Sequence, residues 1–472
     1  MSKARQDFTT GAITKHLLKT MGFMLLMMVF QTLYVLIDLY WVGRLGTSSV
    51  AAVGIAGNLM FVVLAFTQML AVGTTTVVAH AIGRRDDAAA RLSFNQSLSL
   101  SLACGVFFLV VALALRIRYA VSQSADPATA LLAARYLLWF IPAMALQFPL
   151  VAMSAALRGA GNFKVGVAIG ITTIVLNMLI APVLIFGWLH APAIGISGAA
   201  IASLVAILVG NVWLTLYFRR EPVLSYSSAQ WRPRVVEWRR MLAIGMPAGF
   251  DFAMLAVYLF IVYSVTRPFG AAAQAGFGIG MRIMQSGFMP VVALGMAVAP
   301  IAGQNFGARS ASRVRHTFRD GALLGAGMML LFFILCQAAA PQMISAFTAD
   351  PAAVARGTEY LRMVSWSFVA SGIIFVTGSM FQSMGNTVPS IATSLVRIVV
   401  VAVPVMILSR SPGFQLTTIW RLAVLSVWVQ LAVALLLLRR EFARRLHFAD
   451  STGTNEVRPA PAPGVTARMA AE

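Results

Sequence analysis

Two carboxylates stand inside long apolar stretches of the chain, where a charge is costly. Asp38 lies late in the apolar run 17–41, and Asp251 lies about ten residues into the run 241–265. A charged side chain at the centre of a bilayer costs about 2.5–3.5 kcal/mol on insertion scales. Residues of this kind mark ion pathways, substrate sites or buried pairs, so each needs a physical reason.

Asp38 belongs to a polar stripe on one side of its segment. Gln31, Tyr34 and Asp38 follow one another at i, i+3 and i+7, so they share a helix face. On an otherwise apolar helix this stripe predicts a cavity or a partner helix. Asp38 also lies beside Trp41, which fits an interfacial carboxylate at an aromatic belt. Spacing alone leaves both interpretations open.

Asp251 has two interpretations as well. Tyr258 shares its helix face, and Arg397 lies at a similar depth in its own apolar run 388–408. The first interpretation is a structural Asp251–Arg397 pair. The second is a cavity acid that binds cations or protons.

A further polar face lies in the run 272–302. Arg282, Gln285, Ser286 and Met289 share this face, which is either the wall of a cavity or a polar face for helix packing. His80 stands near the end of its run and is interpreted as interfacial.

The composition explains why these residues are unusual. The 472 residues are 59% hydrophobic and only 11% charged, which excludes an ordinary soluble domain. The sequence predicts an all-α polytopic membrane protein of twelve transmembrane helices. The predicted spans are 17–41, 52–82, 94–115, 130–157, 164–186, 195–218, 241–265, 272–302, 319–340, 352–382, 388–408 and 415–438.

The net charge of +21 follows the loops rather than forming a nucleic-acid surface. Arginines concentrate in alternate loops, which predicts that both termini lie in the cytoplasm and that no nucleic acid is bound. The preference for arginine over lysine is typical of a GC-rich bacterial genome, so we expect the inner membrane. The predicted segments are a cytoplasmic N-terminus (1–16), an N-lobe (17–218), a linker (219–240), a C-lobe (241–440) and a disordered tail (441–472).

An internal repeat divides the predicted helices into two sets of six. With a constant shift of 224 residues, ADPA at 125–128 falls on ADPA at 349–352, and Gly161-Asn162 falls on Gly385-Asn386. Six spans per copy is an even number, so the copies share one orientation and are related by an axis along the membrane normal. Transporters place their site between such halves.

No motif for ATP or for catalysis is present. The sequence has no phosphate-binding loop, no HExxH and no CxxC, and its two cysteines, Cys104 and Cys336, fall within spans. We therefore predict neither an enzyme nor a cofactor, and no obligate protein partner. An ion gradient would supply the energy, since one elementary charge that crosses the membrane releases about 2.3 kcal/mol per 100 mV of membrane potential.

Several motifs together resemble the multidrug and toxic compound extrusion (MATE) family. They are QTLYVLID (31–38), VGRLG (42–46), ALRGAGN (156–162), GQNFGA (303–308) and FQSMGNTVPS (381–390). The resemblance implies a V-shaped pair of six-helix lobes and antiport of amphipathic, often cationic compounds against protons or sodium. It also implies that Asp38 is the coupling carboxylate of the first helix.

The chain departs from the family pattern at three positions. Asn177 matches a coupling position of the fifth helix, but Ala181 stands where many members have Asp. Phe23 replaces the usual proline of the first helix, and Met284 stands where many members have Glu.

The resulting hypothesis is proton-coupled efflux in which Asp38, Asp251 and Asn177 couple the ion. Gln31, Tyr34, Tyr258, Arg282, Gln285 and Met289 would contact an amphipathic small molecule. One alternative is an exporter or flippase of a lipid-like or anionic metabolite, held by Arg282 and Arg397. Another, from a different class, is a non-transporting membrane protein, such as a channel or a lipid enzyme.

Overall fold

The computed structural model describes residues 6–188, 192–266, 269–408 and 415–448, and within α7 and α12 some side chains lie outside the description. Every secondary-structure element in these ranges is a helix. The α-helices are α1 (Ile13–Gly43), α2 (Thr47–Gly83), α3 (Asp87–Gln123), α4 (Pro127–Gly159), α5 (Phe163–Phe186), α6 (Ile196–Arg220), α7 (Val235–Thr266), α8 (Ala271–Gly307), α9 (Ala311–Ser345), α10 (Pro351–Val364), α11 (Phe368–Ser383), α12 (Val388–Leu408) and α13 (Leu416–Arg445).

Eleven stretches among the described residues are long and apolar enough to cross a bilayer. The ninth of these is Pro351–Ser383, in which α10 and α11 are joined by the 3₁₀ turn Ser365–Ser367. The predicted span 241–265 corresponds to α7, a helix of 32 residues. The chain therefore has the predicted fold class, twelve membrane helices in two six-helix lobes.

The backbone repeats its special conformations at the predicted shift. Left-handed φ values occur at Gly46 and Gly270 (101° and 87°), at Arg85 and Arg309 (58° and 56°) and at Gly161 and Gly385 (79° and 71°). Asp126 and Asp350 each cap the helix that follows, which begins with proline. Loop geometry as well as helix order is thus duplicated.

The first helix of each half packs on the other half before it joins its own. Leu17 and Met24 of α1 belong to a core with Ala293 and Val298 of α8. In the same way, Met241 and Ile244 of α7 belong to the core of the first six helices. The outer part of α1 then packs along α5, and α7 packs along α12.

The two halves meet most closely where α2 and α8 end, beside the arginine-bearing turns 84–86 and 308–310. We call this end of the bundle the basic side. A β-carbon on Gly83 would overlap the carbonyl of Gln304, and one on Gly307 would overlap the carbonyl of His80. Because glycine alone fits, the backbones of α2 and α8 touch and close the basic side.

We predict that Gly83→Val prevents this closure. In a variant with Cys104 and Cys336 replaced by alanine, a cysteine introduced at Ala79 reports on access to the contact. Ala79 is fully buried, so its labelling by a maleimide should be slow with Gly83 and several-fold faster with valine. Gly54→Val is the matched control, because a β-carbon there meets nothing within 4 Å. Equal labelling rates for the two variants would contradict the assignment.

Candidate functional site

A polar cluster links α1, α5 and α6 inside the first half. Asn177 is buried and donates from Nδ2 to the Ser203 hydroxyl at 3.0 Å. The Tyr34 hydroxyl lies 3.5 Å from the same oxygen. Ser203 in turn donates to the carbonyl of Ala199, which completes its hydrogen bonding. The structure thus brings together Tyr34 and Asn177, two of the predicted site residues.

Asp38 lies one turn beyond Tyr34 on the same helix face. Its side chain is half-buried, and its Oδ1 is inaccessible to solvent with no hydrogen-bond partner among the described residues. Tyr34 and Tyr136 lie within electrostatic range of the carboxylate. One carboxylate oxygen of Asp38 is thus enclosed by protein, while the side chain as a whole keeps part of its exposure.

Gln31, at the start of the stripe, is exposed. Solvent exposure along the stripe therefore decreases from Gln31, which is exposed, to Asp38, whose Oδ1 is buried. A ligand beside Gln31 would approach Tyr34 before it reached the carboxylate.

The second half carries a smaller polar contact between α7 and α12. Ser394 donates from its hydroxyl to Oδ1 of Asp251 at 2.9 Å. Arg397 lies one turn further along α12, on the same face as Ser394, and is half-buried. The side chain of Tyr258 lies outside the described residues, so its predicted role stays a prediction.

The repeat shows what is specific to Asp251. At the shift of 224 residues its counterpart is Met27, and the counterpart of Ser394 is Gly170. Met27 packs so closely on Gly170 that a β-carbon there would overlap its side chain. An apolar contact in the first half is therefore a carboxylate–hydroxyl contact in the second.

The predicted polar face of α8 points away from the packing of its own half. One side of α8 packs closely on α10 and α9 through three glycines, Gly276, Gly280 and Gly287. On the other side of the helix Arg282, Gln285 and Ser286 are exposed and Met289 is half-buried. Of the two interpretations from sequence, the exposed wall fits this geometry, and a face that packs against another helix does not.

The basic side is held by two hydrogen bonds that are counterparts of each other. Nε2 of His80 donates to the carbonyl of Ser383 at 2.6 Å, and Nε2 of Gln304 donates to the carbonyl of Gly159 at 2.9 Å. Both pairs are related by the shift of 224 residues. His80 is buried between the halves, so its interpretation as an interfacial residue was wrong.

A short N-terminal segment, residues 6–12, covers this seam. Phe8 is fully buried, its amide donates to Oε1 of Gln304, and its carbonyl accepts from Asn305. Arg313 donates from Nη2 to the carbonyls of Phe8, Thr10 and Gly11. Gln6 bonds to Gly161 of the first half, so the segment touches both halves.

Known proteins with this sequence pattern and this fold were found in three comparisons. The MatE family model matches residues 24–183 and 247–408, which is more than half of the chain. The protein belongs to the MATE family. MATE proteins are multi-pass membrane transporters, which confirms the expectation that this chain is not an enzyme.

Individual relatives cover nearly the whole chain at low identity. A probable multidrug resistance protein of Bacillus subtilis, YoeA, is 26% identical and spans 88% of this chain and 90% of its own length. The multidrug export protein MepA of Staphylococcus haemolyticus is 24% identical and spans 86% and 89%. A MATE transporter solved in an outward-facing conformation has a TM-score of 0.85 at 24% identity, over 95% of this chain and all of its own.

Sequence reasoning missed the seam and its cover. The GQNFGA motif, which contains Gln304, carried only the family resemblance and no role, and nothing in the first sixteen residues indicated a bound segment. The available signal was the repeat itself: two glycines at equivalent helix ends, each flanked by a hydrogen-bonding side chain three residues earlier.

We predict that Arg313→Gln releases the N-terminal segment. Hydrogen bonds from a charged donor contribute about 1.5–3 kcal/mol each, so amide exchange over residues 6–12 should rise at least about tenfold. Hydrogen–deuterium exchange with mass spectrometry measures this. Arg315→Gln is the matched control, since Arg315 is exposed on the same helix. Exchange that rises equally in both variants would show that charge, not these contacts, holds the segment.

Proposed function

We propose that this MATE protein is a secondary active antiporter that exports amphipathic, cationic compounds in exchange for protons. The single observation that supports the coupling is the Asp38 carboxylate, buried on one side without a hydrogen-bond donor among the described residues. A charged group in that position is costly unless a proton or a cation accompanies it. Asp38 can therefore hold either a proton or a positively charged ligand.

Competition for one carboxylate couples the two movements. A ligand drives a conformational change only when its affinity differs between the two states. When the proton binds, the negative charge that attracts the cation is lost, and the cation leaves. When the proton leaves, the site attracts a new cation. Tyr34 and Asn177, which both lie against Ser203, would keep the helices around the carboxylate in place in both states.

The closed basic side determines from which end of the protein Asp38 can be reached in this conformation. The seam at Gly83 and Gly307 and the segment 6–12 block access from that end. Gln31 on α1 and Arg282 on α8 are exposed, and Phe61 of α2 is 68% exposed. We infer that the space between the lobes opens at the opposite end and that the lobes rock to reverse this.

The arginine distribution supports an orientation for the reaction. Since basic loops stay in the cytoplasm, the basic side and both termini would face the cytoplasm of a bacterial inner membrane. The conformation described here would then be the outward-facing one. We propose a lipid bilayer and a small-molecule substrate as partners, without nucleic acid, resident cofactor or obligate protein partner.

The substrate class rests on residues and on relatives. YoeA and MepA carry names that refer to multidrug resistance or export, which suggests amphipathic drugs here. Methionines on α8, such as Met284 and Met289, provide adaptable apolar contacts.

The exposed Arg282 favours a second candidate, the export of an anionic or lipid-like metabolite. A guanidinium on the exposed wall of α8 would attract a phosphate or carboxylate and repel a cation. Binding of ethidium compared with binding of an anionic amphiphile to purified protein separates the candidates, with Arg282→Gln as the diagnostic variant.

We predict that Asp38→Asn abolishes coupling. In proteoliposomes, efflux of ethidium should move protons in the opposite direction, and the asparagine variant should lower this proton movement at least about tenfold, because an amide has no titratable proton. Asp251→Asn should have a smaller effect, because Asp38 keeps the titratable proton and the amide oxygen at position 251 can still accept from Ser394. Asp87→Asn is the control, because Asp87 is exposed at the basic side.

The coupling ion is tested in the same vesicles. Proton and sodium gradients are imposed separately, and drug movement is followed for each. Undiminished proton movement in both Asp38→Asn and Asp251→Asn would overturn coupling by these acids. Drug movement that follows only the sodium gradient would replace the proton with sodium while leaving Asp38 as the site.

A further inference from the structure

A groove on the outer surface of the second half carries charges that the transport hypothesis does not use. It has a volume of about 690 Å³ and lies between α9, α10 and α13. Arg362, Arg421 and Glu359 contribute charge, while Trp366, Leu425 and Trp428 contribute apolar walls. A groove that combines charged and apolar walls in this way is suited to an amphiphilic ligand.

The groove faces the lipid rather than the space between the halves. The main contacts of α13 are with α10, α11, α12 and the turn Ser365–Ser367, all in the second half. Large apolar side chains around it point outward: Leu331 is 70% exposed, and Ile334 and Leu335 are about half exposed. Lipid chains would cover these side chains in a bilayer.

The charges in the groove are unbalanced. Glu359 pairs with Arg356 at 3.2 Å. Arg362 and Arg421 are exposed and form no ion pair within the described part of the chain. Their repeat counterparts, Leu138 and Ser197, are uncharged, so the duplicated fold does not require arginines here. An anion is the ligand that complements two guanidinium groups.

The position of Arg421 along its helix brings it within reach of the membrane surface. Trp366 and Trp428 lie deeper, near the middle of their spans, and their partly exposed rings form the apolar part of the groove. Arg421 lies five residues after Leu416, where α13 begins, or about 7.5 Å along the axis. Arginine side chains of that length reach the head-group level while their stems lie in the apolar layer.

The floor of the groove is fixed by the break between α10 and α11. The turn Ser365–Ser367 frees carbonyl groups, which must be satisfied within a bilayer. Gln337 donates to the carbonyl of Arg362 at 2.7 Å, and Trp428 donates from Nε1 to the carbonyl of Trp366 at 3.2 Å. The backbone of Arg362 and of the turn that follows it is therefore held in place from α9 and α13.

We propose that this groove binds the phosphate head group of an anionic phospholipid in the leaflet opposite the basic side. The guanidinium groups of Arg362 and Arg421 take the phosphate oxygens, because their planar donors match that geometry. The acyl chains lie along Leu425 and the exposed leucines of α9. This site is separate from Asp38 and independent of what the protein exports.

Native mass spectrometry of the purified full-length protein tests the proposal. The detergent-solubilised protein is titrated with phosphatidylglycerol and with phosphatidylcholine of identical acyl chains. The wild type should retain phosphatidylglycerol at severalfold lower lipid concentration. Arg362→Gln with Arg421→Gln should remove that preference, while Arg439→Gln with Arg440→Gln, which deletes the same charge at the basic side, should keep it.

Three outcomes overturn the proposal. The first is an unchanged phosphatidylglycerol preference in the Arg362/Arg421 variant. The second is an equal loss in the Arg439/Arg440 variant, which would place the anion site at the basic side. The third is displacement of the lipid by an equal concentration of inorganic phosphate, which would indicate a free-anion site. If the double variant does not fold, the single variant Arg421→Gln answers the same question, with a smaller expected loss of preference.

Discussion

The close approach of α2 and α8 at Gly83 and Gly307 is the constraint on which the rest of the structure depends. With no side chain between them, the two backbones touch, and His80 and Gln304 can each reach a carbonyl of the opposite half. Closure at this end separates the halves at the other. The exposure of Gln31 and Arg282 follows from that separation, since helices that meet at one end and diverge cannot cover their outer faces.

Much of the fold was predictable because the bilayer leaves few choices. Apolar runs of about 20 residues can only be spanning helices or buried ones, and the constant shift of 224 residues paired them correctly. The break at Ser365–Ser367 was not predictable, since no proline lies there. In the first half Pro142 occupies the position equivalent to Trp366, and α4 continues through it. The break depends instead on donors from Gln337 and Trp428, which are distant in sequence.

The candidate site was predicted in part for a similar reason. Helical spacing placed Tyr34 and Asp38 on one face, but Ser203, which joins Tyr34 to Asn177, lies 169 residues away from Tyr34 and carries no signal of its own. Likewise, His80 meets Ser383 across 303 residues. Periodicity reports which residues share a face, whereas it contains no information about which helix that face meets.

The reciprocal bonds at the seam also have a symmetry of their own. His80 reaches Ser383 and its counterpart Gln304 reaches Gly159, so each contact exists twice about a common axis. That is the contact pattern of a symmetric homodimer, in which one surface patch pairs with an identical patch. Closing the molecule at this end therefore needs one kind of contact made twice, and two different side chains, histidine and glutamine, serve as the donor.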